Sequence, residues 1–274
     1  MTIRVPATSA NLGPGFDVMG LALSLYAEVG VVGTDAMPAD AREADDTHPA
    51  QVAFVRAGGS GRVWVNNSIP MGRGMGFSGA VRVGGIIAAE VQREGASWSQ
   101  NTSNALSIGT ELEGHADNVA PSIYGGVVIA TESQVVRVPV ALDPTFVMWV
   151  PNFTTSTNES RGKIGPTIAL TDAVFNIART AMFVTALQTG NVELLREATQ
   201  DRIHQGIRLA ASPPCAAALD AGLAAGAWCG WLSGSGPTVA LMCDPAMAQA
   251  VAEKLPADGH TKILKLDTRG AVVV

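Results

Sequence analysis

Pro70-Met71-Gly72-Arg73-Gly74-Met75-Gly76-Phe77-Ser78-Gly79-Ala80 sets four glycines between two patterned runs. Upstream, Arg62 to Asn66 (RVWVN) alternates as a strand does, and downstream Val81, Val83, Ile86, Ile87 and Val91 recur at helical spacing. A glycine loop between strand and helix lets backbone N–H groups approach phosphate oxygens, and the helix N-terminus adds a favourable dipole. No Gly-Lys-Ser/Thr follows, so this is not a Walker A loop, and the spacing is not the dinucleotide fingerprint. The glycines alone fit a ligand-free flexible turn equally well.

Two further segments carry chemistry. Near the start, Val5-Pro6-Ala7-Thr8-Ser9-Ala10-Asn11-Leu12-Gly13-Pro14-Gly15-Phe16-Asp17 sets an amide and a carboxylate across a Gly-Pro-Gly turn. Asn11 and Asp17 can face one pocket and hold an ammonium or hydroxyl group there, or merely satisfy nearby backbone as turn residues do. Near the end, Ser233-Gly234-Ser235-Gly236-Pro237-Thr238 enters the apolar run Val239-Ala240-Leu241, a context suited to close backbone packing beside a ligand.

Short apolar runs alternate with helical patterns along the rest of the chain. Strands are expected at Leu21 to Val32, Gly125 to Ala130, Phe146 to Val150, Val239 to Cys243 and Lys262 to Leu266. Helices are expected at Thr102 to Leu112, Ala169 to Leu187, Val192 to Gln205 and Ala246 to Lys254, with an acidic loop at Asp35 to Pro49. This order reads as two α+β halves dividing near residue 146.

Composition narrows the function classes. Of 274 residues 47% are hydrophobic and 15% charged, enough for a sizeable core and too apolar for a disordered chain. The formal net charge of −6 and the lack of a Lys/Arg run argue against nucleic acid as a partner. No apolar run of about 18 residues suggests a membrane span, and no leader pattern opens the chain, so a cytoplasmic protein is expected. Cys215, Cys229 and Cys243 lack metal-ligand spacing and read as buried free thiols.

The order PATSANLGPGFDVMG, PMGRGMGFSGA, SGSGPT resembles the three signature motifs of the GHMP kinases. Glu111-Leu112-Glu113-Gly114-His115-Ala116-Asp117-Asn118-Val119-Ala120-Pro121 resembles the homoserine kinase branch, as do Gly125-Gly126, Ser156 to Arg161, Asp201 through Arg208, and Leu266-Asp267-Thr268. The resemblance spans nearly the whole chain in order. It implies a two-domain α+β fold, with a ribosomal-protein-S5-like ATP-binding half at 1–146 and a ferredoxin-like half at 147–274. It also implies phosphorylation of the L-homoserine hydroxyl by ATP with Mg²⁺, in threonine biosynthesis, and a possible homodimer.

By the same resemblance Pro70, Gly72, Arg73, Gly74, Gly76, Ser78 and Gly79 wrap the ATP phosphates, joined by Ser235 and Gly236. Glu111 holds the metal with Ser78, while Glu113 is expected to be a solvated helix residue. Asn11, Asp17, Asn118, Thr157, Arg161 and Arg208 bind the amino-acid substrate, with Asn118 and Arg161 catalytic. Asp17 suits the ammonium and an arginine fork suits the carboxylate. No general base is expected: Asp117 is taken to point elsewhere, and His204 reads as structural. Two features depart from the family: Phe77 stands where a first loop serine is usual, and the stretch between Val32 and Arg62 is short. The alternatives are a GHMP kinase for threonine, shikimate or mevalonate, and a catalytically silent metabolite sensor.

Overall fold

The computed structural model describes residues 1–95, 98–100, 103–131, 134–155, 161–162 and 164–274. Motif one begins in strand β1 (Ile3–Ala10), which pairs antiparallel with the long β2 (Met19–Val31). The two halves of β2 serve different neighbours. Ala27 to Val31 pair with β4 (Val63–Asn67), beyond which lies the short β3 (Arg42–Glu43), and Met19 to Leu21 pair with β5 (Val127–Ala130), followed by β6 (Val135–Val138).

Helix α1 (Pro49–Arg56) precedes β4, and α2 (Phe77–Glu94) lies across β1 and β2. The Val81, Val83, Ile86, Ile87 and Val91 stripe is the face that α2 buries, so the apolar spacing and the packing agree. After α2 come α3 (Ala105–Glu113) and α4 (Val119–Tyr124). Buried Glu90 accepts bonds from Trp98 Nε1, Ser103 Oγ and the Asn104 amide at 2.9, 2.7 and 2.8 Å, which anchors the approach to α3.

The second sheet starts with β7 (Thr145–Pro151). It continues through α5 (Leu170–Thr189), α6 (Leu195–Ala198), α7 (Gln205–Ala210) and α8 (Pro213–Ala224) to β8 (Cys229–Leu232) and β9 (Val239–Cys243). Helix α9 (Ala248–Ala252) and β10 (Gly259–Lys265) follow, giving the antiparallel order β10-β7-β9-β8. Alternate residues of β7 face different cores. Phe146, Met148 and Val150 join the core shared with the first sheet, and Val147 and Trp149 pack with α8 and β9. Trp231 stands edge-on to Phe146 and Phe183 at centroid distances of 6.4 and 6.3 Å, bridging β7, β8 and α5.

The second unit does not run through the last residue. Leu266 bridges Leu23, and β11 (Val272–Val273) pairs with β1, so the tail returns to the first sheet. Asp267 secures it by accepting from Tyr26 Oη at 2.8 Å and from the Arg269 and Gly270 amides at 2.9 and 2.7 Å.

Other expectations changed in detail. The 35–49 loop contains β3, and α1 begins at its end, with Pro49 in the first turn and His48 Nδ1 accepting from the Ala50 amide at 3.1 Å. The helical stretch expected over 192–205 breaks into a short turn, α6, and an irregular link to α7. Helix α5 is apolar and long enough to cross a membrane by length and composition, yet Phe183, Ala186 and Leu187 on it belong to the shared core. The three cysteines are buried free thiols, and burial pushes the Cys243 thiol up to about 11.

Candidate active site

One cleft gathers the turn after β1, the glycine loop with the start of α2, the α3–α4 connection, Thr155, Arg161, Arg208 and the 234–235 turn. Asn11, Asp17, Asn118, Arg161, Arg208, Pro70, Gly72, Arg73, Gly74, Gly76, Ser78 and Ser235 all line it. Gly79 and Gly236 pack just behind, and Glu111 does not reach it. Thr157, with the neighbouring residues 156–160, lies outside the described residues.

The loop has its shape because glycine tolerates left-handed backbone. Gly72, Gly74 and Gly76 have φ of +65°, +73° and +68°. At Gly76 a Cβ would sit 1.8 Å from Thr8 Oγ1, and at Gly74 it would sit 2.3 Å from the Ser233 carbonyl oxygen. Motif three is thus the backing of motif two. Ser233 Oγ donates to the Gly74 carbonyl at 2.6 Å, and the Thr238 amide donates to the Arg73 carbonyl at 3.2 Å. Arg73 is braced by donating Nε to the Pro151 carbonyl at 3.1 Å. Phe77 lines the cleft and meets His48 edge-on at 6.0 Å, so it contributes a wall where a hydroxyl was expected.

Glu111 requires correction. It forms a two-point pair with Arg56 at 3.0 and 2.8 Å on the outside of α3, its side chain 56% exposed. Glu113, expected to be solvated, is 16% exposed and accepts from Ser78 Oγ at 2.9 Å and Arg82 Nε at 2.8 Å. At about 100° per residue, positions two apart lie on nearly opposite faces of a helix, so only one carboxylate can face the loop. Ser78 and Glu113 therefore form the oxygen pair at the helix N-terminus that suits Mg²⁺, which takes one or two carboxylates and completes its shell with phosphates and water.

Motif one is strained where it turns. Asn11, Leu12 and Asp17 have φ of +71°, +47° and +59°, left-handed values uncommon outside glycine. The Asn11 side chain holds the turn, accepting from the Asp17 amide at 3.0 Å and donating to the Gly234 carbonyl at 3.0 Å. It is chiefly a brace, and its expected contact with substrate is left to the free side of the amide. The turn presents Asp17, which Arg161 meets with two bonds of 2.8 Å. That pairing holds the Arg161 guanidinium above its usual range.

Asn118 is oriented from both sides. Its Oδ1 accepts from Thr8 Oγ1 at 2.7 Å, and its Nδ2 donates to Asp117 Oδ1 at 3.2 Å. Asp117 lines the cleft, contrary to expectation, and pairs with His115 Nδ1 at 2.5 Å. That hydrogen bond holds the His115 imidazole above its usual pKa. Among the described residues each cleft carboxylate thus has its own partner: Asp17 has Arg161, Glu113 has Arg82 and Asp117 has the His115 imidazole.

Arg208 has no carboxylate partner among the described residues. It is 6% exposed, donates Nη1 to the Gly234 carbonyl at 3.1 Å and to His204 Nδ1 at 3.0 Å, and leaves Nε buried without a partner. Burial first, and Arg161 second, lowers its pKa. A buried guanidinium with a free N–H and no carboxylate among the described residues is a place for an anionic ligand group.

Phe16, Thr8, His115 and Thr155 were not singled out from the sequence. Phe16, Thr8 and His115 lie within the quoted motifs, so position was the available signal.

The model of the GHMP kinases N terminal domain matches residues 48–126, and that of GHMP kinases C terminal matches residues 183–261. The homoserine kinase of Desulfitobacterium hafniense is 38% identical over 99% of both chains, and that of Nostoc punctiforme is 36% identical over 99% of this chain and 97% of its own. Among solved structures, the Cytophaga hutchinsonii homoserine kinase superposes with a TM-score of 0.85, covering 100% of this chain and 97% of that one at 24% identity. The Methanococcus jannaschii mevalonate kinase gives 0.69 at 12% identity, covering 97% and 98%. These last two likenesses establish the two-domain α+β fold. Near-full-length identity, with all three motifs converging on one cleft, makes the chain a member of the homoserine kinase family of GHMP kinases.

Proposed function

We propose that this chain transfers the γ-phosphoryl group of ATP to the side-chain hydroxyl of L-homoserine, giving O-phospho-L-homoserine on the way to threonine in the cytoplasm. The observation that carries the reading is the buried, carboxylate-free Arg208 beside the Asp17–Arg161 pair, opposite a phosphate loop in the same cleft. A zwitterionic amino acid supplies a carboxylate for Arg208 and Arg161 and an ammonium for Asp17. Mevalonate and shikimate have no ammonium, so they leave Asp17 without its ligand.

In this reading the loop amides from Gly72 to Gly79 bind the phosphates, with the N-terminal end of α2 behind them. Ser78 and Glu113 would hold Mg²⁺, which supplies neutralisation of phosphate charge when bound. Arg73 adds positive charge at the rim. Asn118, fixed by Thr8 and Asp117, holds the acceptor hydroxyl in line. Phosphoryl transfer passes through a loose transition state, so placement and charge carry more of the rate than a strong base. Asp117 already accepts from His115 and Asn118, and it is assigned an orienting part.

Phosphorus NMR of a reaction with Mg-ATP and L-homoserine tests the product. A new phosphomonoester resonance on the side-chain carbon supports the reading, and phosphate release without that ester rejects it.

A further inference from the structure

We propose that His204 is a positioning residue for Arg208: its neutral Nε2–H tautomer holds the guanidinium in the carboxylate-binding place, and protonation of His204 releases it. The inference rests on the reading of Arg208 given above.

The tautomer follows from the two partners. His204 is fully buried, with Nε2 2.8 Å from the Gly13 carbonyl oxygen and Nδ1 3.0 Å from Arg208 Nη1. A carbonyl only accepts and a guanidinium only donates, so Nε2 carries the hydrogen and Nδ1 the lone pair. The imidazolium would turn an N–H and a positive charge against Arg208. The His204 ring stacks on Phe16 at 5.0 Å and 28°, and Arg208 Cζ lies 5.5 Å from the same ring, so the three side chains form one block. That block ties motif one to α7 and to the Gly234 carbonyl that Arg208 also holds.

The charges around the ring do not rescue the imidazolium. Asp201 Oδ2 is 3.8 Å from Nε2 but already accepts from the His204 and Gln205 amides at 2.8 and 2.6 Å. Asp17 acts from farther away and is paired with Arg161. Burial is the largest influence and lowers the His204 pKa, Arg208 lowers it further, and Asp201 opposes both. Loss of the block is therefore confined to pH values below the ordinary histidine range.

The test is the homoserine KM at saturating Mg-ATP between pH 5 and 8 for wild type, His204→Asn and His204→Gln. Asparagine places an oxygen near Nδ1 and cannot protonate, whereas glutamine reaches toward Gly13 and leaves Arg208 without an acceptor. Wild type is expected to lose homoserine affinity in acid, approaching about tenfold per pH unit. H204N is expected to hold an acid-independent KM, and H204Q a KM raised by about tenfold at every pH.

An acid rise retained in H204N, or equal KM increases in both variants, overturns the proposal. Calorimetry on wild type needs no variant: homoserine binding should release no proton at pH 7.5, and a growing fraction of one proton over the acid range in which the wild-type KM rises. An acid rise in KM with no accompanying proton release on binding overturns the proposal while leaving the assigned substrate standing. No homoserine binding at any pH removes both.

Discussion

Replacing Glu113 with glutamine separates the two candidate carboxylates of α3. The substitution keeps the shape and one acceptor oxygen but removes the charge that holds Arg82 Nε at 2.8 Å and faces Ser78 Oγ at 2.9 Å. Both partners of the ion pair are less than one fifth exposed, at 16% and 19%, so weakening it should cost about 1–3 kcal/mol. Against a typical total of about 5–15 kcal/mol the fold survives, with Tm lower by about 2–4 °C for each kcal/mol lost.

Turnover should suffer more. In the proposed reading Glu113 is the carboxylate next to the phosphate loop, with its charge where the phosphoryl group moves. We expect kcat to fall about 10²-fold or more, equivalent to about 2.7 kcal/mol of barrier. Glu111→Gln is the control. Its Arg56 pair is half exposed on both sides and contributes about 0–1 kcal/mol, so kcat should stay within about twofold of wild type. Steady-state ADP release over a range of Mg²⁺ concentrations, with thermal melts on the same samples, reads both quantities. Near-wild-type turnover in E113Q, or a large loss in E111Q, refutes the reasoning.

Further outcomes are expected. Arg161→Ala should raise the homoserine KM about tenfold or more, because it removes the two bonds that hold Asp17 and, in the proposed reading, a ligand of the substrate carboxylate; an effect confined to the ATP KM would reassign Arg161. Gly76→Ala forces a Cβ to within 1.8 Å of Thr8 Oγ1 at φ +68°, so Mg-ATP binding measured by calorimetry should be lost; unchanged affinity would detach this turn from the phosphates. Stability should depend on pH through His204, whose folded-state pKa is lowered from 6.5 by burial. The unfolded chain takes up the proton first, so this contribution is whole above about pH 6.5 and is lost as pH falls toward the folded pKa. Melts from pH 8 to 5 should show the decline, and an H204N variant should flatten it.

Much of the molecule was legible in the sequence, for physical reasons that differ from place to place. The Val81–Val91 stripe fixed α2, and the β-branched run Val239–Cys243 fixed β9, because local pattern and burial agree there. Strand β1 carries Pro6, Thr8 and Ser9 and reads as a turn-rich motif, yet it is central because neighbours on both sides supply its hydrogen bonds. Return of the tail to β1 depends on Asp267 meeting Tyr26, a contact 241 positions apart that no local pattern announces.

In the site, the residue types were readable and their partners were not. Glu111 and Glu113 sit two apart, and choosing between them needed the buried face of α3. The clue was present: Ala105 and Gly109 are the small buried residues of that helix, and Glu113 continues their four-residue spacing. Asp117 was taken to point away on the assumption of extended backbone, whereas it precedes the first turn of α4 and turns inward. His204 read as structural, and its contact with Arg208 is a tertiary fact that the i, i+4 spacing only permits.

The most direct test of the central claim is a coupled ADP-release assay with Mg-ATP and a panel of L-homoserine, L-threonine, L-serine, shikimate and mevalonate. The account predicts the highest kcat/KM for L-homoserine and little turnover of the two acceptors that lack an ammonium group. Preference for shikimate or mevalonate, or ATP binding with no acceptor turned over, would contradict it.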